Sequence, residues 1–203
     1  MSEPLINSYE MFLLSKPTRG ETDKFLKLAS ATDFSYRYVG ATRQPKQPET
    51  VKYNIDHNHI VIGNGEEDFE RAKKAVREWT MFDIPWVELC WSNATIEEGQ
   101  TVAILIRHFG FYSLNAARIV YTLDEWDWFG FAYGTLADHG EAGEERFSVR
   151  LDHESGDVIY DLYAFSRPNH FLAHLGYPLT RMLQKRFAQD SKQAMFRSLR
   201  TIG

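Results

Sequence analysis

The sequence predicts an α+β fold in which helices cover one face of an antiparallel sheet. Three observations carry this. Between Trp86 and Phe165 the apolar residues recur with a period close to two, in six short runs. The pieces that join these runs, such as "NATIEEGQ" and "DHESGD", are short and turn-rich, so successive strands are neighbours in a meander. After "FSRP" the period changes to 3.6 and holds to the end of the chain, which sets a long C-terminal helix against that sheet.

Taken in order, "PTRGETDKFLKLASATDF" reads as a short helix with Phe25, Leu26, Leu28 and Ala29 on one side. The polar, proline-marked "TRQPKQPETVKYNIDHN" reads as a loop or lid, and "HIVIG" after it is a candidate to join the sheet. The turn "GNGEED" opens a helix in which Phe69, Ala72, Val76 and Trp79 recur at helical spacing. Glu66, Glu67 and Asp68 stand in its first turn and Arg71, Lys73, Lys74 and Arg77 follow, which suits the helix dipole. The strands are expected at Trp86 to Trp91, Thr101 to Phe109, Ala117 to Leu123, Trp128 to Leu136, Glu145 to Leu151 and Asp157 to Phe165. In the fifth of these, Phe147, Val149 and Leu151 alternate with Arg146, Ser148 and Arg150, which predicts one dry face and one wet one. The last helix carries a stripe of Leu179, Met182, Leu183, Phe187, Ala194 and Met195, with Pro178 breaking or kinking its first turns.

In the strand from Trp128 to Leu136, one face carries Phe129, Phe131, Tyr133 and Thr135 and the other Gly130, Ala132 and Gly134. Glycine weakens a strand, so these bare positions imply close approach by another element or strong curvature. Gly134 is accordingly expected to face the last helix or a sharp bend.

The chain of 203 residues is long enough for one real core, and its 43% apolar content includes 14 Phe, 10 Tyr and 5 Trp, rings that need a broad interior or a cavity to face. A net charge of −5 argues against a chain-wide footprint for nucleic acid or an anionic membrane. The single cysteine, Cys90, excludes an internal disulfide and cysteine-rich zinc sites, and its place in "WVELCW" makes it a small buried residue. The first residues lack a basic leader, and no stretch approaches the roughly 20 apolar residues that span a bilayer. A cytoplasmic protein with no integral membrane segment is expected.

Four stretches, "VGATR" (Val39 to Arg43), "GNGEEDFERAKKAV" (Gly63 to Val76), "GFAYGTLADHGEAGEERFSV" (Gly130 to Val149) and "AFSRP" (Ala164 to Pro168), together resemble the family known as domain of unknown function nineteen-ninety. The resemblance runs from about Tyr38 almost to the C-terminus. It implies a START-like, polyketide-cyclase-like helix-grip fold: a curved antiparallel sheet of about six to seven strands wrapped around the long C-terminal helix and an apolar cavity. One such domain over residues 1–203, with a helical extension at about 1–37, is the expected organisation. The family supplies no catalytic residues to carry over.

The leading expectation is a cavity that holds a small apolar or amphipathic molecule such as a lipid, isoprenoid or aromatic metabolite. Its expected lining is Trp86, Tyr121, Phe131, Tyr133, Phe147 and Tyr163, with Arg118, Glu145 and Arg167 as polar anchors. A carboxylate pointing into such a cavity has a raised pKa. An enzyme of cyclase or hydratase type using Glu145 with His139 or Tyr133 is therefore the first alternative, against the plainer reading of Glu145 as half of a buried pair with Arg167 or Arg118. A protein with a filled core and an interaction role is the second. Neither His57 with His59 nor His170 with His174 has a third ligand at a recognised spacing, so no metal and no cofactor is expected. Gly63 and Gly65 precede a helix but lack the lysine of a phosphate loop, and read as a turn.

Overall fold

The computed structural model describes residues 12–44, 53–90, 95–137, 141–168 and 177–200. Its elements are β1 (Phe12–Leu13), α1 (Arg19–Ala29), β2 (Asn54–Asn64), α2 (Gly65–Arg77), a single 3-10 turn (Thr80–Phe82), β3 (Val87–Leu89), β4 (Thr101–Arg107), β5 (Tyr112–Asp124), β6 (Trp128–Thr135), β7 (Glu141–Leu151), β8 (Asp157–Pro168) and α3 (Tyr177–Arg200). All strands pair antiparallel in one sheet of order β2-β8-β7-β6-β5-β4-β3, with β1 added beside the start of β5. The sheet is curled, and its concave face receives α2, the 3-10 turn and α3. This is the α+β arrangement expected from the period change and the helix-grip fold that the resemblance implied.

Rings form the centre of the concave core. Trp79 follows α2 in the left-handed region, at φ 57°, the one non-glycine residue there among those described; this turns its ring back onto Phe131 at 4.6 Å. Phe82 lies 5.4 Å from both Phe147 and Phe187, and Phe131 stacks on Phe147 at 5.4 Å. The contact face of α3 is Phe187, Ala188, Ser191, Ala194, Met195 and Leu199, and the Ser191 hydroxyl meets Tyr160 Oη at 2.8 Å. Leu179 and Met182 were expected on this stripe but are 48% and 52% exposed. At about 100° per residue they lie far round the helix from Met195, so the apolar stripe and the contact face diverge toward the first turns. Pro178 stands in the first turn, where its missing N–H costs nothing, and does not break the helix.

The convex face is dry as well, and this corrects the expectation of a wet one. Arg146 and Ser148 are buried, and only Arg150 of the alternating set is exposed. Helix α1, held at its start by a Thr18–Glu21 capping box, lays Leu26 and Ala29 over β4 and β5, against Leu105, Leu114 and Ala116. The following segment, residues 33–43, crosses β6 to β8, where Tyr36 packs on Ala142 and Phe165. Cys90 is half-buried beside the α1 layer, and burial pushes its thiol up to about 11, which removes thiolate reactivity at neutral pH.

Gly134 faces this outer layer and not the last helix. A Cβ there would lie 2.0 Å from the Tyr36 hydroxyl oxygen, which is itself fixed by a hydrogen bond to Glu144. Gly134→Val is expected to destabilise by about 1 to 3 kcal/mol through overpacking. A lower denaturant midpoint is the expected result; an unchanged one would mean that Tyr36 swings clear at no cost.

Candidate functional site

Antiparallel register places Tyr133 of β6, Glu145 of β7, Ala164 of β8 and Asp56 of β2 side by side in one row across the concave face. The neighbouring row toward α2 holds Phe131, Phe147, Leu162 and Asn58. One step along the strands therefore changes the floor of the sheet from largely apolar to polar. Beyond that row, Glu141 and Ser166 continue the polar zone. The first half of α3 supplies Arg181 and Gln184 from above.

These groups are linked. Tyr133 Oη donates to Glu145 Oε2 at 2.8 Å. The Gln184 amide nitrogen lies 2.6 Å from each oxygen of Glu141 and 3.0 Å from Ser166 Oγ. Arg181 grips Asp56 with both terminal nitrogens, at 2.5 and 2.7 Å, and donates to Gln184 Oε1. Burial pushes Glu145 up to about 7; the Tyr133 hydrogen bond opposes this, and the charges of Glu141 and Asp56 add to it. Glu141 also rises to about 7, again chiefly through burial, against the pull of Gln184 and Arg181. The Tyr133 phenol is held well above its usual range by burial and by Glu145, so it remains a hydrogen-bond donor. Glu145 is enclosed by protein yet keeps accessible surface, as do Ala164, Ser166, Leu183 and Gln184 around it, whereas Phe131, Phe147, Val149 and Tyr160 are at 0%. These part-buried groups mark a cleft where the polar rows meet the first half of α3.

The adjacent Glu144 points the other way. On the convex face its carboxylate accepts from Tyr36 Oη at 2.7 Å, Gly40 N at 2.6 Å, Thr42 N at 2.9 Å and Thr42 Oγ1 at 2.5 Å. Arg146 donates to the Thr42 carbonyl at 2.7 Å and to Asp161 at 2.7 Å, and Thr42 Oγ1 meets Tyr121 Oη at 2.8 Å. The stretch "VGATR" is thus the clasp that fastens the outer segment to the sheet.

Of the expected lining, Phe131, Tyr133 and Phe147 lie on the concave face, and Trp86 lies beside α3 with its indole nitrogen donating to Asp190 at 2.8 Å. Arg118, Tyr121, Tyr163 and Arg167 lie on the convex face and do not line the cleft. Arg118 donates to the carbonyls of Ala29, Ser30 and Thr32 at the end of α1, which suits the negative pole of that helix. Tyr163 packs beside His57 and Arg146, and Arg167 sits over the Tyr53 ring at 5.4 Å. The expected Glu145–Arg167 pair is therefore absent, because the two side chains stand on opposite faces of the sheet. His57 and His59 lie exposed on the outer side of β2, with His57 Nε2 2.6 Å from Asp161 Oδ2. His139, His170 and His174 lie outside the described residues. Asp56, Glu141, Arg181 and Gln184 were not anticipated. Glu141 was legible in principle, since it is an even number of residues from Glu145 on a strand.

A curled antiparallel sheet closed over a long C-terminal helix, with a graded apolar-to-polar cleft between them, defines the helix-grip class. The chain belongs to the family described as domain of unknown function (DUF1990), which matches residues 35–194. It is 33% identical over 207 residues to a UPF0548 protein of Dictyostelium discoideum, covering 93% of this chain and 96% of that one. It is 34% identical over 199 residues to a UPF0548 protein of Deinococcus radiodurans, covering 93% and 98%. Among solved structures it is similar to hypothetical protein jhp0584 from Helicobacter pylori, at a TM-score of 0.47 and 11% identity over 72% of this chain and 85% of that one. It is also similar to norcoclaurine synthase from Thalictrum flavum, at a TM-score of 0.47 and 9% identity over 74% and 89%. No helix among the described residues is long and apolar enough to cross a membrane.

Proposed function

We propose that the protein binds a small amphipathic molecule, of lipid, isoprenoid or aromatic type, in the cleft between the concave face and the first half of α3. Its apolar body lies against Ala164, Leu183 and Phe187, which keep accessible surface, and its polar group meets Glu145 and Gln184 beside Tyr133. The observation that carries this reading is Glu145, part-buried beside an aromatic wall and bonded to Tyr133. Burying a carboxylate against rings costs stability, and groups kept at such a cost in a cleft concentrate at functional sites. Native mass spectrometry of freshly purified protein tests the proposal. The expected spectrum shows the chain with a bound small molecule that is lost on denaturation, and Ala164→Phe, which fills the space beside Glu145, removes it. A bare chain mass in the parent would favour the filled-core reading, in which the rings pack one another alone.

A second reading is an enzyme of cyclase or hydratase type with Glu145 and Tyr133 as the reacting pair. It is favoured by the value of about 7 to which burial pushes Glu145, since a general acid or base works best near the ambient pH.

A further inference from the structure

The two edges of the sheet differ. Strand β3 closes one edge with three residues, Val87–Leu89, a length that leaves little to pair with. Strand β2 closes the other with eleven residues, Asn54–Asn64, and no strand among the described residues covers its outer side. Long edges are ordinarily blunted by lysine, proline, bulges or a covering element. β2 contains neither lysine nor proline, its one inward-facing charge, Asp56, is paired with Arg181, and its one bulge falls between Val61 and Gly63, past a stretch that pairs with β8 without interruption from Asn54 to Val61. On the outer side of this stretch Ile55, His57, His59 and Val61 are all exposed, Ile55 at 38% and Val61 at 44%.

That exposed row is symmetric about Asn58: a histidine stands on either side of it, and a β-branched aliphatic residue stands beyond each histidine. We infer that two copies of this chain pair antiparallel through their β2 edges, with Asn58 opposite its own counterpart on a two-fold axis. Residues opposite one another in an antiparallel pair share a face. Ile55 then meets Val61 of the partner subunit and His57 meets His59 of the partner subunit, each contact occurring twice, as a two-fold interface requires. Pairing from Ile55 to Val61 satisfies about seven backbone hydrogen bonds otherwise left to water. A second copy fits better than an unrelated strand because the self-matching order of the row gains nothing from a partner of different sequence. Asp56 keeps its ion pair with Arg181 on the opposite face, so the ligand cleft is not part of the interface.

Sedimentation of the full chain over a range of concentrations, with three variants, tests this. The parent is expected to dimerise reversibly. Ile55→Lys combined with Val61→Lys replaces two exposed side chains and sets like charges opposite each other, so it is expected to be monomeric with an unchanged circular dichroism spectrum. In a Cys90→Ser background, Asn58→Cys is expected to form a disulfide-linked dimer on mild oxidation, since facing Cα atoms lie about 4.5 to 5.5 Å apart, within the span of a disulfide. Ile55→Cys, about 20 Å from its own counterpart in this register, is expected not to. A parent that stays monomeric, a dimer that survives the two lysines, or cross-linking at Ile55→Cys in place of Asn58→Cys would each overturn the inference.

Discussion

Glu144→Ala is expected to destabilise the protein by on the order of 3 to 5 kcal/mol. The carboxylate is 2% exposed and is the common acceptor for the Tyr36 hydroxyl, two backbone amides and the Thr42 hydroxyl. The variant leaves those donors buried without a partner, at about 1 to 3 kcal/mol for each that water cannot reach. Tyr36 cannot compensate by ionising, because burial, the largest cause of its raised pKa, persists in the variant. Segment 33–43 should then lift from β6 to β8 and become sensitive to protease, while the concave core survives. Glu144→Gln, which keeps one acceptor oxygen, is expected to lose less. Equilibrium denaturation with limited proteolysis reads both effects, and a midpoint within the equivalent of about 1 kcal/mol of the parent would show the clasp to be dispensable.

The layer order and the inward side of β7 were legible in the sequence, and the outer layer was not. In β7 the parity that turns Phe147 and Val149 inward also turns Glu145 inward, so period two alone places that carboxylate in the interior. Tyr121 escapes the same logic because β5 carries a bulge between Ile119 and Tyr121. Ile119 is concave, and strict alternation would make Tyr121 concave too; the bulge turns it outward to Thr42. Tyr163 and Arg167 have the parity opposite to Tyr160 and Leu162, so a one-residue slip in β8 moved them to the wrong face. The start of β2 read as loop because Asp56 and Asn58 are polar on its inner side and His57 and His59 on its outer side, which erases the alternation. The dry convex face is a matter of contacts a hundred residues apart in the chain, such as Gly40 with Glu144, and local pattern carries no trace of them. For the same reason Arg146 and Ser148, polar and alternating with apolar neighbours, looked solvated when they lie beneath a second layer.

Glu145→Gln is expected to do the reverse of Glu144→Ala and stabilise the protein, by an amount that depends on pH. The sign follows from proton linkage. Burial raises Glu145 from an ordinary 4.5 to about 7 in the folded protein, so between these values the folded chain binds more protons than the unfolded one and stability falls as pH rises. Below about pH 4.5 both states are protonated and nothing is lost; above about 7 both are ionised and the full cost is present, roughly 3 kcal/mol at about 1.4 kcal/mol per pH unit. Glutamine keeps an oxygen to accept from Tyr133 and has no charge to desolvate, so it escapes this cost. The charge of Glu141, itself pushed to about 7 by burial, adds to the rise at Glu145, so part of the gain comes from removing that repulsion. Thermal or denaturant unfolding of parent and variant should therefore coincide near pH 4 and separate with rising pH, the variant being more stable by about 2 to 3 kcal/mol at pH 8. If the two curves run parallel across that range, or if the variant is the weaker protein at pH 8, Glu145 is an ordinary structural partner, and the reading of the cleft as a site kept at a cost in stability fails with it.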